Sequence, residues 1–271
     1  MRALPLSLKI GGTIILAMIL IAVVAPLLSP FEPQQLDLQR RLVPPNSTHF
    51  FGTDQNGVDI FSAILYGARI SLLIAISVAT LTVITGMIIG SVAGFMGGWW
   101  DMLLMRAVDL IFGFPGFLLV LSIVAFMQEA SIKNMVIALS CTGWASYARL
   151  VRGEVLHLKE REHVLSAKSL GAPWWRLLVI HIWPNLLGAL MVQVSFSMAV
   201  TIITESSLSF LGLGVSPMTP TWGSLLNSGR QYLIEAPHLS LFPGLFIMLL
   251  VLGFNLLGDG LRDILDPKSA K

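Results

Sequence analysis

Six long apolar runs pattern the chain, near 10–28, 70–95, 102–127, 133–151, 187–210 and 239–258, each bounded by charge, Pro or Gly. Such runs approach the roughly 20 residues that a helix needs to cross bilayer hydrocarbon. The pattern predicts an all-α membrane protein with six transmembrane helices. Between the first two runs, Ser29 to Arg69 is polar, and Pro30, Pro33, Pro44 and Pro45 forbid a long helix there. Its end, Asp59 to Ala68, places Ile60, Ile64 and Leu65 as a short amphipathic helix would, lying in the membrane interface. Arg149 to Pro184 is polar and charged, whereas Gly212 to His238 is rich in Gly and Pro.

Composition supports the membrane class. Only 12% of the 271 residues are charged and 55% are hydrophobic, against about 25% charged in soluble domains. The net charge of +2 says little, but its distribution orients the chain. With the N-terminus inside, twelve basic residues fall on the cytoplasmic side: Arg2, Lys9, Arg106, Arg149, Arg152, Lys159, Arg161, Lys168, Arg176, Arg262, Lys268 and Lys271. Five remain outside, namely Arg40, Arg41, Arg69, Lys133 and Arg230. Basic loops resist translocation, so both termini are expected in the cytoplasm. The first run, flanked by Arg2 and Lys9, resembles a signal peptide but is long enough to span, and an uncleaved first helix is expected. The lone Cys141 excludes an internal disulfide, and its apolar surroundings suggest a small buried side chain.

The long cytoplasmic loop divides at a glycine. Glu154 to Leu170 holds no Pro or Gly and spaces its apolar residues as one helix would. Gly171 allows a change of direction, and Pro173 suits the start of a second helix that runs to Pro184 and Asn185. Small residues at Ser166, Ala167 and Gly171 let another protein approach the backbone closely. A helix resting on anionic headgroups accounts for the same composition.

Several blocks resemble one family. His163-Val-Leu-Ser-Ala-Lys-Ser-Leu-Gly171-Ala-Pro, followed by His181-Ile-Trp-Pro184-Asn185, looks like the loop by which ABC-importer permeases dock on their ATPase. Phe51-Gly-Thr-Asp-Gln-Asn-Gly-Val-Asp59, Tyr66-Gly-Ala-Arg-Ile-Ser-Leu72, Met105-Arg-Ala-Val-Asp109 and Tyr147-Ala-Arg-Leu-Val-Arg152 are similar to segments of the peptide- and nickel-type permeases. Leu208-Ser-Phe-Leu-Gly-Leu-Gly214, Pro220-Thr-Trp-Gly223 and Phe254-Asn-Leu-Leu-Gly-Asp-Gly-Leu-Arg-Asp263 continue the likeness over nearly the whole chain. The chain departs from the family at Leu165, where a Glu is usual, at Ser166 for the first Ala, and at Val58 for an Arg.

The resemblance implies a type I importer permease fold in a bacterial inner membrane: a first helix over 1–29, an extracytoplasmic segment over 30–68, a core over 69–261 and a cytoplasmic tail over 262–271. The coupling loop spans 152–185 within that core, with Glu162, His163, Leu165, Ser166, Ala167, Gly171, Ala172, His181 and Pro184 as the residues that meet the ATPase. It implies a second permease subunit, two ATPases that carry ATP and magnesium, and an extracytoplasmic solute-binding protein. The cargo it implies is a di- or oligopeptide, with nickel or a metal chelate as the alternative.

The residues themselves limit the chemistry. There is no phosphate-binding Gly-x-x-x-x-Gly-Lys loop, no nucleophile elbow and no His-Glu-x-x-His helix, so no catalytic residue, cofactor, metal or nucleic-acid partner is assigned to this chain. The five His residues are scattered without metal-site spacing. Gln193, Ser197, Thr201, Glu205 and Ser209 recur every four residues in the fifth run. Each step of four drifts by roughly 40°, so Ser197, Thr201 and Glu205 share a face that is a candidate translocation path. A hydrogen-bond seam between helices is the other meaning of small polar residues there. Arg106 and Asp109, one turn apart, are expected to pair. A transporter of another class, driven by an ion gradient, predicts inverted repeats and a buried ion site, and neither is evident in the sequence.

Overall fold

The computed structural model describes residues 4–216 and 219–265. Arg2, Lys268, Lys271 and the tail from residue 266 onward lie outside the described residues. Nine helices organise the described chain: α1 (Leu6–Leu28), α2 (Ile60–Met96), α3 (Gly98–Phe112), α4 (Gly116–Met127), α5 (Ile132–Leu158), α6 (Glu162–Ser169), α7 (Trp174–Phe210), α8 (Trp222–Gly229) and α9 (His238–Leu265). Among the described residues the β-structure is a single bridge between Thr53 and Asp59.

Four helices, α1, α2, α7 and α9, are long and apolar enough to cross a membrane, and α3 with α4 makes a fifth span if the bent pair is counted as one. The run expected as a straight span over 102–127 is broken, with an 87° bend at Gly113–Pro115. Pro115 has no N–H to continue the ladder and drives Phe114 away from helical torsions. The polar-flanked α5 has 27 residues, about 40 Å of helix.

The short interfacial helix expected over 59–68 does not exist as a separate element. Asp59 caps the helix by accepting from the Ser62 N–H (2.8 Å), and the helix then runs unbroken to Met96. Gly67 stays helical and makes room for the ring of Trp222. Ile60, Ile64 and Ala68 are buried in protein rather than resting on lipid.

Two seams hold the bundle. Along α2, Gly86, Gly90 and Gly94 lie against the backbone of α5, where a Cβ on any of them would collide with Tyr147, Ala148 or Arg152. Gly11 of α1 meets α9 in the same way at Gly253 and Leu257. With little hydrophobic drive between helices in lipid, close backbone approach supplies the packing energy. At the end of the α2–α5 seam, Lys159 donates to the Gly94 carbonyl (2.9 Å) and Arg152 forms a bidentate pair with Asp101 of α3. Asp109 pairs with Arg149 of α5 (2.9 Å), not with Arg106 as expected; the Arg149 guanidinium reaches it across the ring of Phe112. Cys141, expected to be buried, is exposed, because an apolar neighbourhood on a membrane helix can face lipid as readily as protein.

Residues 29–59 fold as a compact irregular segment over the start of α2. His49 Nδ1 and Asp59 Oδ1 are 2.9 Å apart and both side chains are buried. Asp54 Oδ1 accepts from the N–H groups of Asn56 (2.7 Å) and Val58 (2.8 Å). Burial raises the Asp54 carboxyl above its ordinary range, and those backbone bonds hold it back in part.

Candidate functional site

The loop from 159 to 182 is built as a short arm rooted in the core. The single helix expected from Glu154 to Leu170 is interrupted: α5 stops at Leu158, Arg161 adopts an extended conformation, and α6 starts at Glu162. Of the eight residues of α6, Val164 is buried, packed with Val155, Leu158, Leu177, Leu178 and Ile182. The helix ends where Gly171, at φ +84°, lets its N–H reach the Lys168 carbonyl (3.0 Å) while the Ala172 N–H reaches Ala167 (3.1 Å). This paired closure needs a left-handed residue, and small apolar residues at 167 and 172 pack together beneath it. The spacing of Ala167, Gly171 and Ala172 is therefore a helix stop signal.

The outer face of α6 is bare. Glu162, Leu165, Ser166, Ser169 and Leu170 line a shallow depression, and the Leu170 side chain is 89% exposed. Sequence reasoning missed Leu170, although an apolar residue just before the helix-ending glycine was visible. His163 and His181 face each other with ring centroids 6.4 Å apart, joining the arm to the next helix.

That next helix does not end at Pro184. From Trp174 the helix continues to Phe210, through a π-helical turn at Leu177–Ile182. The widened turn bonds the Trp183 N–H to Leu178 and lies just before the proline, whose missing N–H and bulky ring would otherwise break the ladder. The end of the loop from Trp174 onward and the fifth apolar run thus form one rod of 37 residues, about 55 Å long.

Along this rod the polar series splits. Gln193, Ser197 and Thr201 border a cleft of about 410 Å³, which Thr82, Ser146 and Tyr147 also line. The Phe112 and Phe114 rings at the α3–α4 bend close one side of it. Its lining residues carry no charge, and the Tyr147 hydroxyl is bonded to that of Ser197. Glu205 does not line the cleft. It is 1% exposed and accepts from Ser209 (2.9 Å), Ser71 of α2 (3.3 Å) and Ser206 (3.4 Å). The drift of roughly 40° per step explains the division: the third step from Gln193, about 120° in all, carries the series off the cleft and into the packing against α2.

Among the described residues no group of three or more His, Cys, Asp or Glu side chains is placed to hold a metal. The comparisons with known proteins decide the family. Residues 86–271 match the model of the binding-protein-dependent transport system inner membrane component, and residues 9–45 match the N-terminal transmembrane domain of oligopeptide transport permease C. The chain belongs to the binding-protein-dependent transport permeases. It is 42% identical to the dipeptide transport system permease of Alkalihalophilus pseudofirmus, over 96% of this chain and 85% of that protein. It is 44% identical to the glutathione transport system permease of Pectobacterium atrosepticum, over 95% and 86%. Identity to the oligopeptide transport system permease of Bacillus subtilis is 40%, over 97% and 86%. This permease is therefore a multi-pass membrane subunit of an ABC importer.

Proposed function

We propose that this permease is one of two homologous membrane subunits of an ATP-driven importer of di- or oligopeptides in a bacterial inner membrane. It crosses six times with both ends in the cytoplasm, the bent α3–α4 pair and α5 supplying the spans that composition alone leaves open. Two cytoplasmic ATPases dock on the α6 arms, and a binding protein delivers substrate at the 29–59 end. The observation that carries this reading is a solvent-facing α6 with Leu165 and Leu170 bare, rooted at Val164 and continuous in packing with a rod that reaches the far end of the bundle. Rigid rods convert a local pull into rotation of whole elements.

Peptide cargo is favoured over nickel because the relatives are named for dipeptide, glutathione and oligopeptide transport. The uncharged cleft also fits a path that passes substrates of varied side chain. Uptake of a labelled dipeptide by cells with and without the permease tests the cargo, with labelled nickel run in parallel. Uptake of nickel alone overturns the peptide assignment. The family match replaces the ion-gradient alternative.

The cleft bordered by Ser197 and Thr201 is the proposed path, facing the second permease subunit. In a Cys141→Ser background, Thr201→Cys is expected to react with a water-soluble thiol reagent in at least one transport state. Protection in every state removes the cleft from the path.

A further inference from the structure

Glu205 is buried more completely than a membrane-path residue requires, and it holds together elements that the proposed cycle must move apart. Its carboxyl sits near the far end of the α7 rod from α6 and takes hydroxyl donors from Ser206 and Ser209 on its own helix. Ser71 on α2 donates to it, and the Thr221 hydroxyl at the N-cap of α8 reaches the same carboxyl. None of the ion pairs among the described residues involves it. The start of α8 is pressed onto this point from the other side. Gly223 lies so close to Ser206 and Ser209 that a Cβ would collide, and Trp222 Nε1 donates to the Ile64 carbonyl of α2 (3.1 Å).

Behind this junction lies a cavity of about 430 Å³ between the 29–59 segment and α8. Ser209 belongs to both: it donates to Glu205 and lines the cavity with Ser224, Asn227 and Ser228. We propose that Glu205 is a latch residue that ties the rod to α2 and α8 and holds the inner wall of the outer cavity together, and that the pull on α6 during the ATP cycle releases it. The chemistry suits release. A carboxyl held only by hydroxyls trades them for water when the junction opens, and no buried cation is left unpaired. Glu205 is here a positioning residue that touches no substrate. The proposal rests on ATPase docking at α6.

The test uses the assembled transporter in proteoliposomes, with Val215→Cys, a buried position on the cavity wall, in a Cys141→Ser background and a membrane-impermeant maleimide as probe. With Glu205 present, labelling is expected to rise at least about fivefold when ATP and vanadate trap the closed ATPases. With Glu205→Ala, labelling is expected to be fast without ATP and to respond to it less than twofold. Glu205→Gln, which keeps an acceptor for the hydroxyls, is expected to restore the ATP dependence. Slow, ATP-dependent labelling of the Ala variant overturns the latch while leaving the importer reading intact. Labelling of the Glu205 protein that ignores ATP overturns the importer reading and the latch with it. If Glu205→Ala does not assemble, Ser71→Ala takes its place, with raised ATP-free labelling expected and unchanged labelling overturning the proposal.

Discussion

Leu170→Asp is expected to abolish peptide uptake and release the ATPase from the complex, while the permease itself remains folded. The Leu170 side chain is 89% exposed at the C-cap of α6, so it contributes almost nothing to the permease's own core. Surface substitutions of this kind usually change stability by about 0.5 kcal/mol or less. A carboxylate at a helix C-terminus adds ~0.5 kcal/mol of unfavourable dipole interaction. In a closed interface, by contrast, an unpaired carboxylate replaces an apolar anchor, and loss of such an anchor typically costs ~2 kcal/mol or more. Association is then expected to weaken at least about 30-fold. Co-purification of the ATPase and uptake read the loss, and thermal unfolding of the isolated permease reads the control. The neighbouring Gly171→Asp is the less clean variant. Space around Gly171 is open, but its φ of +84° strains any side chain, so docking and loop closure would fail together.

Gly90→Leu is expected to have the largest effect on stability. A Cβ at Gly90 would lie 2.5 Å from the Ala148 carbonyl oxygen and 2.8 Å from Val151 Cβ, and a backbone carbonyl cannot swing aside. The seam must open, which loosens the Gly86 and Gly94 contacts and the Lys159 bond to the Gly94 carbonyl. Overpacking alone costs about 1–3 kcal/mol, and a branched side chain driven between two helices is expected to exceed that range. The expected result is little folded protein in the membrane, with Gly90→Ala giving a smaller loss and a lower melting temperature. Gly12→Ala is the control: nothing lies within 4 Å of its Cβ position, and exchanging a helical glycine for alanine gains up to ~1 kcal/mol. Equal stability of the Gly90 and Gly12 variants contradicts the close packing of α2 on α5.

Apolar run length located the helices because lipid imposes one requirement on every span, and the C-terminal ends of α1 and α7 fall where the pattern put them. Pro115 was legible as a helix breaker, yet the run was expected as one span, since apolarity does not report direction. Pro184 misled in the opposite sense, because a π-helical turn accommodates it and no local signal announces such a turn. In the loop, Gly171 marked the turn correctly, but the capping role of Ala167 and Ala172 needs the hydrogen bonds to be seen. Leu170 was passed over because exposure is a property of the fold. The partners of Glu205 were beyond sequence reasoning, since Ser71 lies on another helix far away in the chain. The Asp109 pairing failed for the same reason: a helical neighbour was expected, and a cross-helix Arg149 won.

In the proposed cycle this permease receives its energy through α6. Uptake by proteoliposomes holding the complete transporter tests this most directly, comparing internal ATP with an imposed proton gradient. The account predicts peptide accumulation that requires ATP, persists when the gradient is collapsed, and disappears with Leu170→Asp. Accumulation driven by the proton gradient without ATP, and unaffected by that substitution, contradicts it.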